Sequence, residues 1–298
     1  MKIQQNLHIH SMHSCDSACA SLDDIQKEMS SLGMIEYGIS DHVHSKYNLC
    51  DLEGARNDFF ACKRPPEFHL GVEMSTMPVW MRDNIASGNY QRLGDDPIYG
   101  LFYNPIPENA DFSPVLDLDE NDMKRLEIEY VICGVHMPLN PFLQGEEMIE
   151  ETFRQNMFII EHPLVDIFAH PWDGLAGRCV WRDWLGLTGK GRFNRSILDY
   201  SVFEKLEPYN EKMLEALLKH NTAVEINCAT MTNPMLPEKV RKILWNMLAQ
   251  WREAGVKFTI GNDLHAAHSC RSCFGAMELL LDAYGFKEDD IRYLFAGA

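Results

Sequence analysis

The stretch NLHIHSMHSCD, residues 6–16, decides how the chain is read. Asn6 to His10 is a short β-type run ending on two histidines one residue apart. Side chains of a strand alternate faces with a period of two, so His8 and His10 point the same way and can hold one metal ion. Six more runs of this kind follow, from Glu36 to Ser40, Phe68 to Glu73, Tyr130 to Val135, Val165 to Ala169, Ala223 to Ile226 and Lys257 to Ile260. Asp41 and His42 come straight after the second run, and Glu73 ends the third. His136 follows the fourth, His170 the fifth, Glu225 and Asn227 frame the end of the sixth, and Asp263 and His265 follow the seventh.

Between these runs the apolar spacing becomes helical, from Leu22, from Glu146, from Asn210, and from Pro237 to Gly255. A strand-then-helix repeat with seven strands predicts an α/β protein whose sheet closes, or nearly closes, into a barrel, as one domain over residues 1–298. If the strands are parallel, the residues at their ends meet on the C-terminal rim, where imidazole and carboxylate together suit Zn, Mn or Fe. The stripe Ile243, Met247, Trp251 is read as helix-to-barrel packing. Two stretches interrupt the repeat and are expected to be loop insertions, 84–122 and 173–195.

Composition excludes several classes. A net charge of −17 repels polyanions, so no long nucleic acid is expected as a partner. No apolar run has the length of a signal peptide or a membrane span, which predicts a cytoplasmic protein with no membrane partner. The nine cysteines are scattered, with only Cys270 and Cys273 in CxxC spacing, so neither a disulfide framework nor a thiolate zinc site is expected.

The pieces HIHSMHSCD from His8, SDH from Ser40, GVE from Gly71, GVH from Gly134, HP from His170 and GNDLH from Gly261 occur in that order. Together they resemble the polymerase and histidinol phosphatase (PHP) family across nearly the whole chain, and its histidinol-phosphatase-like branch most closely. The resemblance implies a distorted (β/α)7, TIM-like barrel with two or three divalent metal ions, Zn, Mn or Fe, at the C-terminal rim. It implies that one ion takes His8, His10, Glu73 and Asp263, a second shares Glu73 and adds His136 and His170, and a third uses Asp16, His42 and His265. Asp41 is expected to orient this ligand shell rather than to bind metal.

Such a centre activates water and clamps phosphoryl oxygens, so hydrolysis of a small phosphomonoester is the expected reaction, with Glu73, Asp263 and His265 as the catalytic groups. Arg178 and Arg182, in the basic stretch after His170, and Arg271, after His265, are candidate phosphate contacts, because a guanidinium fork matches phosphate oxygens; a solvated basic loop is the competing reading. His13, His44 and His268 can supply an acid or touch substrate, or can simply face solvent. His69, His162 and His220 are read as structural or exposed. The aromatic insert with Trp80, Tyr90, Tyr99, Phe102 and Tyr103 is read equally as a pocket wall, a packed excursion or an oligomer contact. The alternatives are a phosphodiesterase or exonuclease on nucleotide ends, and a noncatalytic metal-binding domain for a partner.

Overall fold

The computed structural model describes residues 1–16, 18–88, 106–136, 139–140, 143, 145–180, 200–234, 236–263, 265 and 270–295, with the backbone alone at 177–180 and 270–272. Its strands are β1 (Gln5–Asn6), β2 (Glu36–Ile39), β3 (His42–Val43), β4 (Phe68–Ser75), β5 (Met77–Pro78), β6 (Pro114–Val115), β7 (Tyr130–Gly134), β8 (Ile167–Phe168), β9 (Ala223–Asn227) and β10 (Phe258–Gly261). The helices between them are α1 (Leu22–Leu32), α2 (Leu49–Ala61), α3 (Val79–Ala86), α4 (Glu120–Leu126), α5 (Glu147–Glu161), α6 (Asp173–Val180), α7 (Glu207–His220), α8 (Cys228–Met231), α9 (Glu238–Glu253) and α10 (Cys270–Ala283).

The main sheet runs in the order β1-β2-β4-β7-β8-β9-β10, every neighbouring pair parallel, with β3 resuming the line of β2 against the upper half of β4. Its two edges meet: Leu7 N–H donates to the Ile260 carbonyl at 3.1 Å and Asp263 N–H to the His8 carbonyl at 2.9 Å. The sheet is therefore the expected α/β, TIM-like barrel. The first strand ends earlier than the expected 6–10 because side chains take over its ladder. Gln5 Oε1 accepts from Ile260 N–H at 2.8 Å and Asn6 Oδ1 from Asn262 N–H at 3.0 Å. Leu7 to His10 still run between the neighbours, with the Ile9 carbonyl accepting from Ser40 N–H at 2.8 Å.

Local chemistry accounts for the helix boundaries. Ser21 caps α1 by accepting from Asp24 N–H, and Gly33 closes it in the left-handed region at φ 71°. Asp119 and Asp122 form a reciprocal capping box at the start of α4. Of the expected stripe on α9, Met247 and Trp251 are buried and Ile243 is partly buried against the same core. Residues 173–180, inside the second expected insertion, are the helix α6.

Tyr130 crosses the barrel interior: its hydroxyl, on β7, donates to the carbonyl of Leu7 at 2.7 Å, on the strand that begins the sheet. Around it pack Leu7, Ile132, Ile167, Ala169 and Ala223, with Leu294 and Phe295 from the C-terminal segment against them. Backbone N–H groups of Leu294 and Phe295 donate to the Glu36 carboxylate, which ties that segment to β2. The apolar residues thus fill one end of the barrel and leave the end formed by the strand C-termini to polar groups. Among the described residues no helix is long and apolar enough to cross a membrane.

Candidate metal centre

Glu73, the sixth residue of β4, is fully buried and stands at the middle of five histidines. Its Oε2 lies 3.0 Å from His8 Nε2, 2.9 Å from His42 Nδ1 and 3.4 Å from His10 Nε2. Its Oε1 lies 2.9 Å from His136 Nε2 and 3.0 Å from His170 Nε2. Asp263 Oδ1 approaches His10 Nε2 at 3.0 Å and His8 Nε2 at 3.6 Å, so both histidines of the first motif aim one nitrogen at the same carboxylates. On the outer side Asp16 Oδ2 lies 3.1 Å from His42 Nε2 and also contacts His265 Nε2. Three groups of ligand atoms emerge: His8, His10 and Asp263; His42, Glu73 and His136; and His10, Asp16, His42 and His265.

Several of these close contacts are not hydrogen bonds. His8 Nε2, His42 Nδ1 and Glu73 Oε2 are buried, within ion-pair distance of one another, and have no hydrogen-bond partner among the described residues. Buried polar atoms are nearly always partnered, so lone pairs converging without a shared proton fit cations bound within this cluster. The donor set of imidazole and carboxylate fits a divalent transition metal better than Ca²⁺ or Mg²⁺, which favour all-oxygen sites.

Small residues make the crowding feasible. A Cβ on Gly134 would collide with the His170 ring, and one on Gly261 would collide with Glu225 and His8. The ligand-bearing turns are also strained, with positive φ at His170 (28°), Trp172 (65°) and Asp263 (54°). The Trp172 indole N–H donates to Asn210 on α7 at 2.8 Å, which holds the first of these turns against a helix.

Burial opposes the ionised form of every group here, and the partners decide the outcome. For Glu73 the cost of burial is outweighed by His42, His8 and His136, which hold its carboxyl well below the usual range. Burial likewise disfavours the His42 imidazolium, yet Glu73 and Asp16 push it up to about 10. His10 stacks on His42 with ring centroids 4.4 Å apart, and burial together with that neighbour's charge lowers it to about 4. Glu73 and Asp16 raise one ring and that ring's charge suppresses the next.

A second layer was not assigned by the sequence. Glu225 Oε1 lies 2.7 Å from His8 Nδ1, its Oε2 accepts from the His170 backbone N–H at 3.1 Å, and Asn227 Nδ2 bridges it to Asp263 at 3.2 and 3.4 Å. A carboxylate on Nδ1 fixes the tautomer that leaves Nε2 free for metal. Glu225→Gln is therefore expected to weaken metal affinity about 10–100-fold while the protein stays folded, read by chelator competition; unchanged affinity would remove Glu225 from the centre. Asp41, expected to orient ligand imidazoles, instead accepts from the backbone N–H and hydroxyl of Ser11, both at 2.5 Å, and so anchors the turn after His10.

The structure thus gathers His8, His10, Asp16, His42, Glu73, His136, His170, Asp263 and His265 at one end of the barrel. The Arg178 and Arg271 backbones lie on α6 and α10; their side chains, and all of Arg182 and His268, lie outside the described residues, as do Tyr90, Tyr99, Phe102 and Tyr103. Trp80 is buried with Met77 and Met81 beside the β5–β6 ribbon. His13 turns away to Asp58 on α2, at 2.7 Å, while His44 joins the cluster, its ring stacked on His42. His69 stacks on Phe295 at the far end of the barrel.

Two solved structures share this architecture. A histidinol phosphate phosphatase from Lactococcus lactis subsp. lactis, solved with Zn, L-histidinol and phosphate, superposes with a TM-score of 0.53 at 16% identity, covering 95% of this chain and 94% of that one. A Listeria monocytogenes protein assigned as a histidinol phosphatase gives 0.54 at 12% identity, covering 91% and 99%. The fold is shared from end to end. No protein-family model and no curated protein matches the sequence.

Proposed function

We propose that the chain is a metal-dependent phosphomonoesterase acting on a small phosphorylated molecule, as the histidinol phosphate phosphatases of similar fold do. The observation that carries the reading is the convergence of unpartnered His8 Nε2, His42 Nδ1 and Glu73 Oε2 inside a rim of nine candidate ligands. His8, His10, Glu73 and Asp263 would hold one divalent ion, Glu73, His136 and His170 a second, and Asp16, His42 and His265 a third, with Zn, Mn or Fe as the metal. When bound, such ions supply an activated water and neutralise charge on the phosphoryl oxygens.

The protein's own groups divide the remaining work. Glu73 turns Oε2 toward His8 and His42 and Oε1 toward His136 and His170, so its two oxygens would be available to different ions. Asp263 holds Oδ2 near Asn227 and keeps Oδ1 on His10. His265 is 43% exposed in its side chain and borders Asp16, so where the third ion is not bound it would be suited to pass a proton to a leaving oxygen at the mouth. Arg178, Arg182, Arg271 and His268, which follow the ligands His170 and His265 in sequence, are proposed to contact the phosphate.

The test is hydrolysis of p-nitrophenyl phosphate, its bis ester and L-histidinol phosphate by metal-stripped protein reconstituted with Zn, Mn or Fe, beside a His10→Ala control. Monoester turnover that needs metal and is lost in the control is expected. Preference for the diester would favour a phosphodiesterase acting on nucleotide ends. Stoichiometric metal with no turnover of any ester would leave a noncatalytic metal-binding domain.

A further inference from the structure

Ser75, which the sequence did not single out, and His44, which it offered as an acid or substrate contact, stand beside the centre and have no part in the proposed function. Ser75 is the last residue of β4, and its Oγ lies 2.7 Å from His136 Nδ1 and 2.7 Å from His44 Nδ1. A hydroxyl carries one proton, so it donates to only one of two imidazole nitrogens, and the other must donate to it. If His136 gives its Nε2 lone pair to a metal, its Nδ1 keeps the hydrogen and donates to Ser75. Ser75 then donates to His44 Nδ1, and the one proton of neutral His44 sits on Nε2.

That N–H is left over. His44 is 7% exposed, yet its Nε2 has no hydrogen-bond partner among the described residues. The ring stacks on His42 with centroids 4.9 Å apart and stands edge-on to His136 at 5.9 Å, so it belongs to the wall of the centre. Its place is fixed through Asn48, which accepts from His44 N–H at 3.1 Å and donates to the His42 carbonyl at 2.9 Å. A buried donor held this firmly without an acceptor is rare unless a ligand supplies one.

We propose that His44 is a substrate-binding residue whose Nε2–H donates to an oxygen of the bound phosphate, with Ser75 as the positioning residue that sets its tautomer. The inference rests on the metal-dependent phosphoesterase reading. Because the hydrogen bond is to a charged group and lies in a buried site, losing it is expected to weaken phosphate binding about 10-fold or more.

The experiment is calorimetric titration of zinc-loaded protein with inorganic phosphate, with zinc content measured on each sample. In His44→Asn the amide oxygen takes the place of Nδ1 and still accepts from Ser75, but nothing replaces Nε2–H; His44→Gln restores a donor near that point. Both are expected to keep full zinc, with phosphate affinity about 10-fold weaker or more in His44→Asn and within about threefold of the parent in His44→Gln. Long-range ¹⁵N spectra of the zinc form are expected to place the His44 proton on Nε2, a preference lost in Ser75→Ala. Parental phosphate affinity in His44→Asn, zinc loss in that variant, or a proton on His44 Nδ1 would each overturn the proposal. A parent that binds zinc but not phosphate would instead sink the phosphoesterase reading, and this inference with it.

Discussion

Glu73→Gln is expected to bind at least one metal equivalent fewer than the parent and to lose about 10³-fold or more in kcat/KM on p-nitrophenyl phosphate. Glutamine keeps the volume of the side chain, so the buried pocket between β3 and β7 remains filled. It removes the charge that offsets His42, His8 and His136, and replaces one carboxylate oxygen by an amide nitrogen that has no lone pair to give. Both oxygens face imidazole nitrogens at 2.9–3.0 Å, so either orientation of the amide spoils one side of the centre. Metal analysis and steady-state kinetics on the same preparation check this. Full metal content with activity within about threefold of the parent would show that Glu73 is not a shared ligand.

The loss at Glu73 was legible because one strand places it. A strand that ends on a carboxylate, in the same parallel sheet as one that ends on His-x-His, can be read from period and order alone, and all nine ligand candidates come together at the rim where that reading puts them. The helices α2 and α10 were not legible for the opposite reason. α2 buries Leu52, Ala55 and Phe59 and α10 buries Phe274, Met277 and Leu281, but exposed apolar residues off those faces, Phe60 on α2 and Leu279 at 73% exposure on α10, blur each stripe in the sequence. Glu225 and Ser75 were not assigned because strand ends show which residues share the rim but not which imidazole each one meets, His8 for Glu225 and His136 for Ser75. Asp41, expected to orient the ligand shell, turns its carboxylate to Ser11 and not to a ligand imidazole, because the backbone direction after β2 is not legible in the sequence.

Removing metal should cost the protein stability, and more at high pH than at low. An ion at about a thousand times its dissociation constant contributes roughly 4 kcal/mol, which for a chain of this size corresponds to a fall in Tm of about 6 °C for each such ion removed by chelation. The pH trend follows from the imidazoles. Without metal, Glu73 and Asp16 raise His42 to about 10, and Glu73 raises His170 to about 9, in both cases against the cost of burial. Raised folded-state values mean that these two groups stabilise the metal-free form fully below the ordinary imidazole value of about 6.5, and that this stability is lost as pH rises through about 9 to 10. Metal binding must displace the same protons, so affinity rises with pH over that window. The two trends act together, and the Tm difference between loaded and stripped protein is expected to be larger at pH 8.5 than at pH 6.5. Thermal scans at both pH values, with calorimetry in buffers of different ionisation enthalpy to count released protons, test it. A difference that shrinks as pH rises, or binding without proton release, would mean that His42 and His170 do not serve as ligands.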